Sequence, residues 1–188
     1  MADEERRMIP FEEARREVEI ACRRIALLHL SYAKTIIEEL GEERGRRLIA
    51  KAIKEYGIRI GERTRREVLE KGLPPTPENF NVGRSLSVPK FGAHDRAETV
   101  EVEGETRRRI YGCTFAKLWK EYGEEDLGRL YCYVDIAKYM AYNPNYKLIH
   151  IKTVPEGHEY CEFAVRPTTE KERRDFSAKD KDWFYIDG

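Results

Sequence analysis

The sequence YKLIHIKTV, residues 146–154, decides the fold class, because its side chains alternate as they do along a β-strand. Such a strand turns two sets of side chains to opposite faces: Leu148, His150 and Lys152 against Ile149 and Ile151. Residues 155–158, Pro-Glu-Gly-His, have the composition of a turn, and residues 160–165 have that of a returning strand. The sequence therefore predicts a β-hairpin in this region.

A second hairpin is predicted upstream of the first. Residues 99–102 and 106–111 have strand-like composition and flank a Glu-Gly-Glu turn. Between the two hairpins, residues 115–122 and 127–142 have helical composition, and the second of these helices ends at Asn143-Pro144. Two hairpins with helices between them predict an antiparallel sheet with helices packed on it.

The N-terminal part of the chain has helical periodicity instead. From residue 10 to residue 40, apolar side chains recur every three or four positions, and Gly41 ends this pattern. A second helical stripe follows, although Gly57 and Gly61 predict that this helix is weak or kinked. The sequence GLPPTP, residues 72–77, then stops helical structure.

Together these segments predict an α+β fold in a single domain that covers residues 1–188. Its expected parts, in chain order, are a helical hairpin over 10–71, an irregular loop over 72–96, the sheet with its helices over 97–166, and a charged tail over 167–188. We expect the tail to be loose until Trp183-Phe184-Tyr185, which would dock back. A single domain is expected because neither half has obvious apolar material for a core of its own.

Composition and charge argue against several classes of protein. Lysine plus arginine and aspartate plus glutamate both total 35, and the resulting net charge of zero argues against bulk binding of nucleic acid. No stretch approaches the roughly 20 apolar residues that span a bilayer. No signal peptide is visible, so we expect a soluble, cytoplasmic protein. Abundant charge, no glutamine and only four asparagines are typical of proteins from hot environments.

The residues best suited to chemistry are the cysteines and their neighbours. None of the four cysteines forms a Cys-x-x-Cys pair, and a reducing cytosol makes disulfides unexpected. Cys22 lies beside the apolar stripe of the first helix and is expected in the core. Cys132 and Asp135 would share one helix face, and His158 and Cys161 have the same spacing at the second hairpin.

Two kinds of chemistry are open to these residues. A thiolate attacks an electrophilic carbon when a histidine or carboxylate manages the proton. Three thiolates, here Cys113, Cys132 and Cys161, instead form a tetrahedral zinc set with a histidine or an aspartate. His150 has no supporting neighbour in its own segment. The basic run 107–109 is expected to be a solvated strand end, with carboxylate binding as its alternative.

Several short motifs follow one another in a recognisable order. They are GEERG at 41–45, CTFAKLWK at 113–120, LGRLYCYVD at 127–135, Asn143-Pro144, and GHEYCEF at 157–163. This order resembles the L-2-amino-thiazoline-4-carboxylic acid hydrolase family, over roughly residues 12–166. The closing Gly-x-x-x-Cys-x-Phe pattern is also similar to the 4-vinyl-reductase-type small-molecule-binding domain, which implies a dimeric α+β fold that need not be an enzyme.

The hydrolase resemblance implies that a cyclic amidine, the thiazoline ring, is opened by water to a carbamoyl-cysteine. Cys161 would attack the ring carbon, or would bind a metal that activates water, while Asp135 manages the proton. His158 is the third catalytic candidate, at a position where many relatives are expected to have aspartate. Cys113 and Cys132 would be co-ligands of a zinc or other divalent metal, or would line the site.

The resemblance also implies a set of residues that bind the substrate. Arg109 or Arg166 would hold the substrate carboxylate, and Asn143 completes the set. The alternative function is a non-catalytic small-molecule sensor with a cysteine-lined or zinc-holding pocket. In either case we expect a small-molecule partner and a homodimer, and we expect neither nucleic acid nor a membrane to bind.

Overall fold

The computed structural model describes residues 8–83, 85–179 and 181–188, and it begins with two long helices. Helix α1 spans Phe11–Leu40 and helix α2 spans Glu42–Glu70. Gly41 alone joins them, at a φ of 77° that residues with a side chain rarely adopt. The helical hairpin is therefore confirmed. Among the described residues, no helix combines the length and the apolar character needed to cross a membrane.

Four strands form one antiparallel sheet. They are β1 at Arg96–Val102, β2 at Glu105–Tyr111, β3 at Tyr146–Lys152 and β4 at Cys161–Pro167. Their spatial order is β1-β2-β4-β3, so β1 and β3 are the two edges. Each of the two predicted hairpins is present, because β1 pairs with β2 and β3 pairs with β4. The fold is α+β, as the sequence predicts.

Three short helices connect the two hairpins. They are α3 at Thr114–Tyr122, α4 at Glu125–Cys132 and α5 at Val134–Tyr142. The sequence predicts one helix over 127–142, but the structure breaks it at Tyr133. Cys132 and Asp135 consequently lie on either side of the break, at the end of one helix and the beginning of the next.

Helix α2 is continuous through Gly57 and Gly61, so the prediction of weakness there was wrong. A Cβ atom on Gly57 would lie 2.5 Å from the Cβ of Ala137, and one on Gly61 would lie 2.3 Å from the carbonyl oxygen of Lys138. The two glycines therefore allow α2 to approach α5 closely. Because α5 carries Asp135, this packing fixes the backbone that positions a candidate catalytic residue.

The main apolar core forms where α1 and α2 pack on α3 and α4. Trp119 of α3 is 1% exposed, and a Cβ on Gly128 of α4 would lie 2.2 Å from its indole. Fully burying a large apolar side chain contributes about 1.5–3 kcal/mol. The other buried members of this core are Ala26, Leu30, Ala33, Ile49, Ile53, Ala116, Leu118, Leu127, Leu130 and Val134. The core thus holds the helical hairpin against the helices that precede β3.

The segment 72–96 is largely irregular, but part of it is fastened to α5. A 3-10 turn at Pro77–Val82 places the ring of Phe80 on that of Tyr139, with 4.2 Å between centroids. The hydroxyl of Tyr142 donates a hydrogen bond to the carbonyl oxygen of Thr76, at 2.9 Å. This segment therefore adds a second support to the helix that carries Asp135.

The C-terminal tail has regular structure, which corrects the expectation of a loose segment. Helix α6 spans Glu170–Ser177 and begins with a capping box between Thr169 and Glu172. Each of these two side chains accepts a hydrogen bond from the backbone N–H of the other residue. A 3-10 turn at Phe184–Asp187 follows, and Trp183 before it is 4% exposed. The aromatic end of the tail does dock on the rest of the protein.

Candidate active site

Three of the four cysteines face one another. Cys113 precedes α3, Cys132 ends α4, and Cys161 begins β4. Burial raises the pKa of all three thiols, to about 12 for Cys161. Negative charge on Cys113 or on Asp135 raises the pKa of Cys132 and Cys161 further. The structure therefore brings together three cysteines and the aspartate that the sequence analysis selected, and we call this region the thiol site.

Backbone surroundings distinguish the three thiols. Burial raises the pKa of Cys113, the N-cap of α3, and the backbone N–H groups of Phe115 and Ala116 at this helix N-terminus oppose that rise. Cys161 accepts one backbone hydrogen bond, from the N–H of Val154 at 3.4 Å. Cys132 has neither feature among the described contacts, and the nearby guanidinium of Arg129 lowers its pKa against the larger effect of burial. A helix N-terminus stabilises a thiolate, and Cys113 is the thiol of the three that lies at one.

Asp135 lies in the thiol site as an ionised carboxylate. Its Oδ1 contacts the ammonium group of Lys138, and its Oδ2 lies 3.5 Å from Nε2 of His150. Burial would raise the pKa of Asp135, but Lys138 and His150 together outweigh burial and hold this pKa well below its ordinary value. Asp135 is therefore ionised at neutral pH. It can accept a proton or orient a cation, but it has no proton to donate.

His150 is a site residue that the sequence analysis missed. Its side chain is 2% exposed, and its Nδ1 lies 2.8 Å from Oδ1 of Asp187 in the C-terminal turn. The backbone N–H of His150 donates to the same oxygen, also at 2.8 Å. Burial alone would lower the pKa of His150, yet the carboxylates of Asp135 and Asp187 raise it above its ordinary value. The imidazolium form is favoured, and His150 carries a proton beside Asp135.

Arg129 of α4 is the second missed residue. Its Nη2 lies 2.5 Å from Oδ2 of Asp187 and its Nε lies 3.2 Å from Oε1 of Glu156, while its guanidinium stands 4.7 Å from the ring of Tyr133. The remaining nitrogen, Nη1, is buried and has no hydrogen-bond partner. A buried donor without an acceptor costs about 1–3 kcal/mol, so a native site that keeps one has capacity to bind a ligand.

The predicted substrate-binding arginines lie elsewhere, on the sheet. Arg109 donates from Nε to Glu162 at 2.6 Å, and Arg107 donates from Nη1 to the other oxygen of that carboxylate at 3.0 Å. Arg166 makes two hydrogen bonds to Glu105, at 2.6 and 3.0 Å. We call these five residues the sheet ion-pair network. Both arginines have carboxylate partners within the protein, so the structure does not bring them to the thiols.

Two further predicted residues are also held outside the thiol site. Nδ2 of Asn143 donates to the carbonyl oxygen of Pro75 at 2.7 Å, and its Oδ1 accepts from the N–H of Asn145. Nδ1 of His158 lies 3.1 Å from the carbonyl oxygen of Thr153, and the residue is exposed. Asn143 therefore ties the 72–96 segment to the end of α5, and His158 closes the turn before β4.

The zinc hypothesis finds little support in the arrangement of side chains. Within residues 8–83, 85–179 and 181–188, no group of three or more histidine, cysteine, aspartate or glutamate side chains is arranged to hold a metal ion. The thiols of Cys113, Cys132 and Cys161 are neighbours but do not form a ligand set. The residues present do not fit the divalent metal considered from the sequence, and no step of the chemistry below depends on one.

No curated protein and no solved structure gives a significant match to the chain. The model of the L-2-amino-thiazoline-4-carboxylic acid hydrolase family does match it, over residues 22–165. The matched region contains all four cysteines together with Arg129, Asp135 and His150, and it ends before Asp187. The match covers most of the sequence and includes every element that contributes a thiol. The chain belongs to the L-2-amino-thiazoline-4-carboxylic acid hydrolase family.

Proposed function

We propose that this protein hydrolyses a small cyclic amidine that carries a carboxylate, of the type of 2-amino-thiazoline-4-carboxylate, in the thiol site. The observation that carries the proposal is the unpartnered, buried Nη1 of Arg129, which lies beside thiols and a protonated histidine. Arginine binds carboxylates in a fixed geometry, so Arg129 replaces Arg109 and Arg166 as the residue expected to anchor the substrate. The family membership supports the same substrate class.

The chemistry requires a nucleophile and a proton donor, and the thiol site has one of each. The ring carbon between sulfur and nitrogen is electrophilic, and the sulfur of Cys113 would form a bond to it while Asp135 accepts the thiol proton. The bond from that carbon to the ring sulfur then breaks, and the leaving sulfur takes a proton from His150. The product of this half-reaction is an isothiourea that joins the substrate to Cys113.

Water completes the reaction. A water molecule adds to the isothiourea carbon and gives one proton back to His150. The bond from this carbon to Cys113 then breaks, and Asp135 returns the proton to the thiol. The ring has then gained one water, and the product is a carbamoyl-cysteine. Asp135 contributes by holding the imidazolium of His150 at 3.5 Å, and Cys132 and Cys161 line the site. Cys161, the nucleophile expected from the sequence, stays the alternative, since the backbone N–H of Val154 donates a hydrogen bond to its sulfur at 3.4 Å.

The direct test measures ring opening of 2-amino-thiazoline-4-carboxylate by the purified protein and by three serine variants. We expect Cys113→Ser to lose turnover and Cys22→Ser to keep it, because Cys22 belongs to the buried face of α1 and its thiol pKa is raised to about 11, first by burial and then by the charges of Cys113 and Glu19. Loss in Cys161→Ser with retention in Cys113→Ser would move the nucleophile to Cys161. Full activity in both variants would remove covalent catalysis from the proposal.

One observation favours a second function, that of a non-catalytic binding protein. Burial raises the pKa of all three thiols, which leaves them protonated in the unliganded protein. Calorimetric binding of 2-amino-thiazoline-4-carboxylate without product formation would support this alternative. The homodimer and the cytoplasmic location expected from the sequence also stay predictions, which light scattering and fractionation would test.

A further inference from the structure

A groove outside the thiol site concentrates positive charge. It has a volume of about 1010 Å³ and lies between the N-terminal half of α2 and the segment that leads into the C-terminal turn. Seven lysine and arginine side chains line it, against two carboxylates, Glu43 and Asp182. None of the thiols is among its lining residues. We call it the cationic groove, and it stands out because the whole chain has a net charge of zero.

The carboxylates in and around the groove neutralise only part of this charge. Glu43 pairs with Arg47 at 2.8 Å, and Asp182 accepts a hydrogen bond from the backbone N–H of Phe184. Arg46 pairs with Glu42 and with Asp126. The cations for which the described residues provide no carboxylate within 4 Å are Arg44, Lys51, Lys54, Lys179 and Lys181. Asp180 lies outside the described residues.

The surroundings of Lys54 show that the positive charges of the groove repel one another. Its ammonium group donates to the carbonyl oxygen of Ala178 at 3.1 Å and stands 4.7 Å from the ring centroid of Phe176. Burial and the neighbouring charge of Lys51 both lower its pKa. Among the groove cations of α2, Arg44 lies in the first turn, where the positive end of the helix dipole adds to the repulsion. An anion in the groove would relieve this repulsion.

The groove also has an apolar floor. Leu40, Leu48, Trp183 and Phe184 line it together with the cations. Binding sites for small molecules typically have volumes of about 300–1,000 Å³ and combine apolar walls with a few charged groups. The cationic groove has this composition and size, whereas a surface evolved only for solubility would mix both signs of charge.

We propose that the cationic groove binds a small organic polyphosphate, with its phosphates on Lys51, Lys181 and the neighbouring cations and its organic part on the apolar floor. Lysine and arginine both bind phosphate, lysine as a point charge and arginine through a bidentate fork. Two or more phosphates match the number of unneutralised cations better than a single carboxylate does. The proposal is independent of the hydrolase function, because no residue of the thiol site lines the groove.

The test is calorimetric titration of the full chain with ATP and with inorganic triphosphate as probes. We expect saturable binding of one ATP per chain, weaker binding of triphosphate, and a loss of affinity as salt is raised. In the variant Lys51→Glu/Lys181→Glu, affinity for ATP is expected to fall at least about tenfold, since two charge-assisted contacts are lost.

The matched control is Arg24→Glu/Arg66→Glu, which changes the net charge equally at two exposed arginines outside the groove. This control is expected to bind ATP like the unmodified protein. An equal loss of affinity in both variants, or no saturable binding of ATP, would overturn the proposal. Affinity for inorganic triphosphate as high as that for ATP would overturn the assignment to an organic ligand. Circular dichroism verifies that both variants fold.

Discussion

Two groups of charged side chains in this protein each combine arginine with carboxylates and differ in how completely they are paired. In the sheet ion-pair network no buried side-chain nitrogen or oxygen lacks a partner, and Glu162, with its side chain 2% exposed, receives Arg107 and Arg109 together. In the thiol site Nη1 of Arg129 is buried without a hydrogen-bond partner, and Nε2 of His150 has only a long ion pair, with Oδ2 of Asp135 at 3.5 Å.

The difference separates a structural role from a ligand-binding role. A fully paired network fixes the register of neighbouring strands and has little capacity left for a ligand, because each strong donor already has an acceptor. A site that binds a charged molecule must instead keep donors free in a buried place, which costs stability. The pairing in the thiol site is therefore that expected of a ligand-binding site. Variants of the thiol site are expected to change turnover, and variants of the sheet ion-pair network are expected to change stability.

The largest expected effect is on turnover in the variant His150→Gln. Glutamine can keep a hydrogen bond to Asp187 but cannot donate a proton as imidazolium does, so kcat for ring opening is expected to fall by about 10²–10⁴. The control is His158→Gln, at a histidine that is exposed and bonded only to the carbonyl oxygen of Thr153. Equal rates in the two variants would exclude His150 as the proton donor.

The next effect concerns stability, in the variant Glu162→Gln. Removal of this charge leaves Arg107 and Arg109 without their shared carboxylate, and both arginine side chains are mostly buried. Urea unfolding is expected to show a loss of about 2 kcal/mol, below the value for a fully buried pair because the arginines keep some contact with water. The control is Glu159→Gln, which removes the same charge at an exposed residue just before β4. This variant is expected to unfold like the unmodified protein.

A smaller effect is expected in Arg129→Lys, which keeps the charge and loses the planar fork. The KM for 2-amino-thiazoline-4-carboxylate is expected to rise about tenfold, with a smaller change in kcat, because the Nη1 donor to the substrate carboxylate is lost. In Arg166→Lys, where the partner is Glu105 of the sheet ion-pair network, the KM is expected to stay unchanged. A higher KM in Arg166→Lys alone would return the substrate to the arginine named from the sequence.

The smallest expected effects are those of pH on the free energy of unfolding, and they have opposite signs in the sheet ion-pair network and in the thiol site. Arg109 and Arg107 lower the pKa of Glu162 against burial, so its stabilisation is present above its ordinary pKa of 4.5 and is lost as pH falls through the lower pKa of the folded state. His150 has a raised pKa, so its stabilisation is present below the ordinary value of 6.5 and is lost as pH rises through the folded pKa.

Unfolding free energies measured across pH would test these two signs. The difference between the unmodified protein and Glu162→Gln is expected to shrink in acid, and the difference from His150→Gln is expected to shrink in alkali. Each effect is bounded by about 1.4 kcal/mol for every unit by which the pKa is shifted. If both differences shrank at the same end of the pH range, the assignment of charge to His150 would be wrong.

Local patterns in the sequence were enough to predict most of the fold. The alternation over 146–154 and the apolar period over 10–40 predict the β3–β4 hairpin and the helical hairpin, because both patterns depend on near neighbours in the chain. The interpretation of Gly57 and Gly61 failed for the opposite reason. Helix propensity describes an isolated helix, whereas these glycines serve a contact with α5, which is distant in sequence.

The thiol site was predicted only in part. Residues close together in the sequence were identified, and residues that depend on distant partners were not. Cys132 and Asp135 were selected from their spacing, but His150 depends on Asp187, which is 37 positions away and lies in a tail expected to be loose. No spacing rule connects two such residues. One local signal was present and unused, namely the capping box of Thr169 and Glu172, which predicts a helix in the tail.

The hydrogen bond from the backbone of His150 to Asp187 has a consequence for the sheet as well. Strand β3 is a sheet edge, and the unpaired N–H groups of an edge strand are places where a strand from another molecule can add. The carboxylate of Asp187 accepts a hydrogen bond from one of these N–H groups, that of His150, and the C-terminal turn lies along the same edge. A chain shortened before residue 184 would expose this edge, with the sequence YKLIHIK, to intermolecular pairing, and we expect it to aggregate more readily than the full chain.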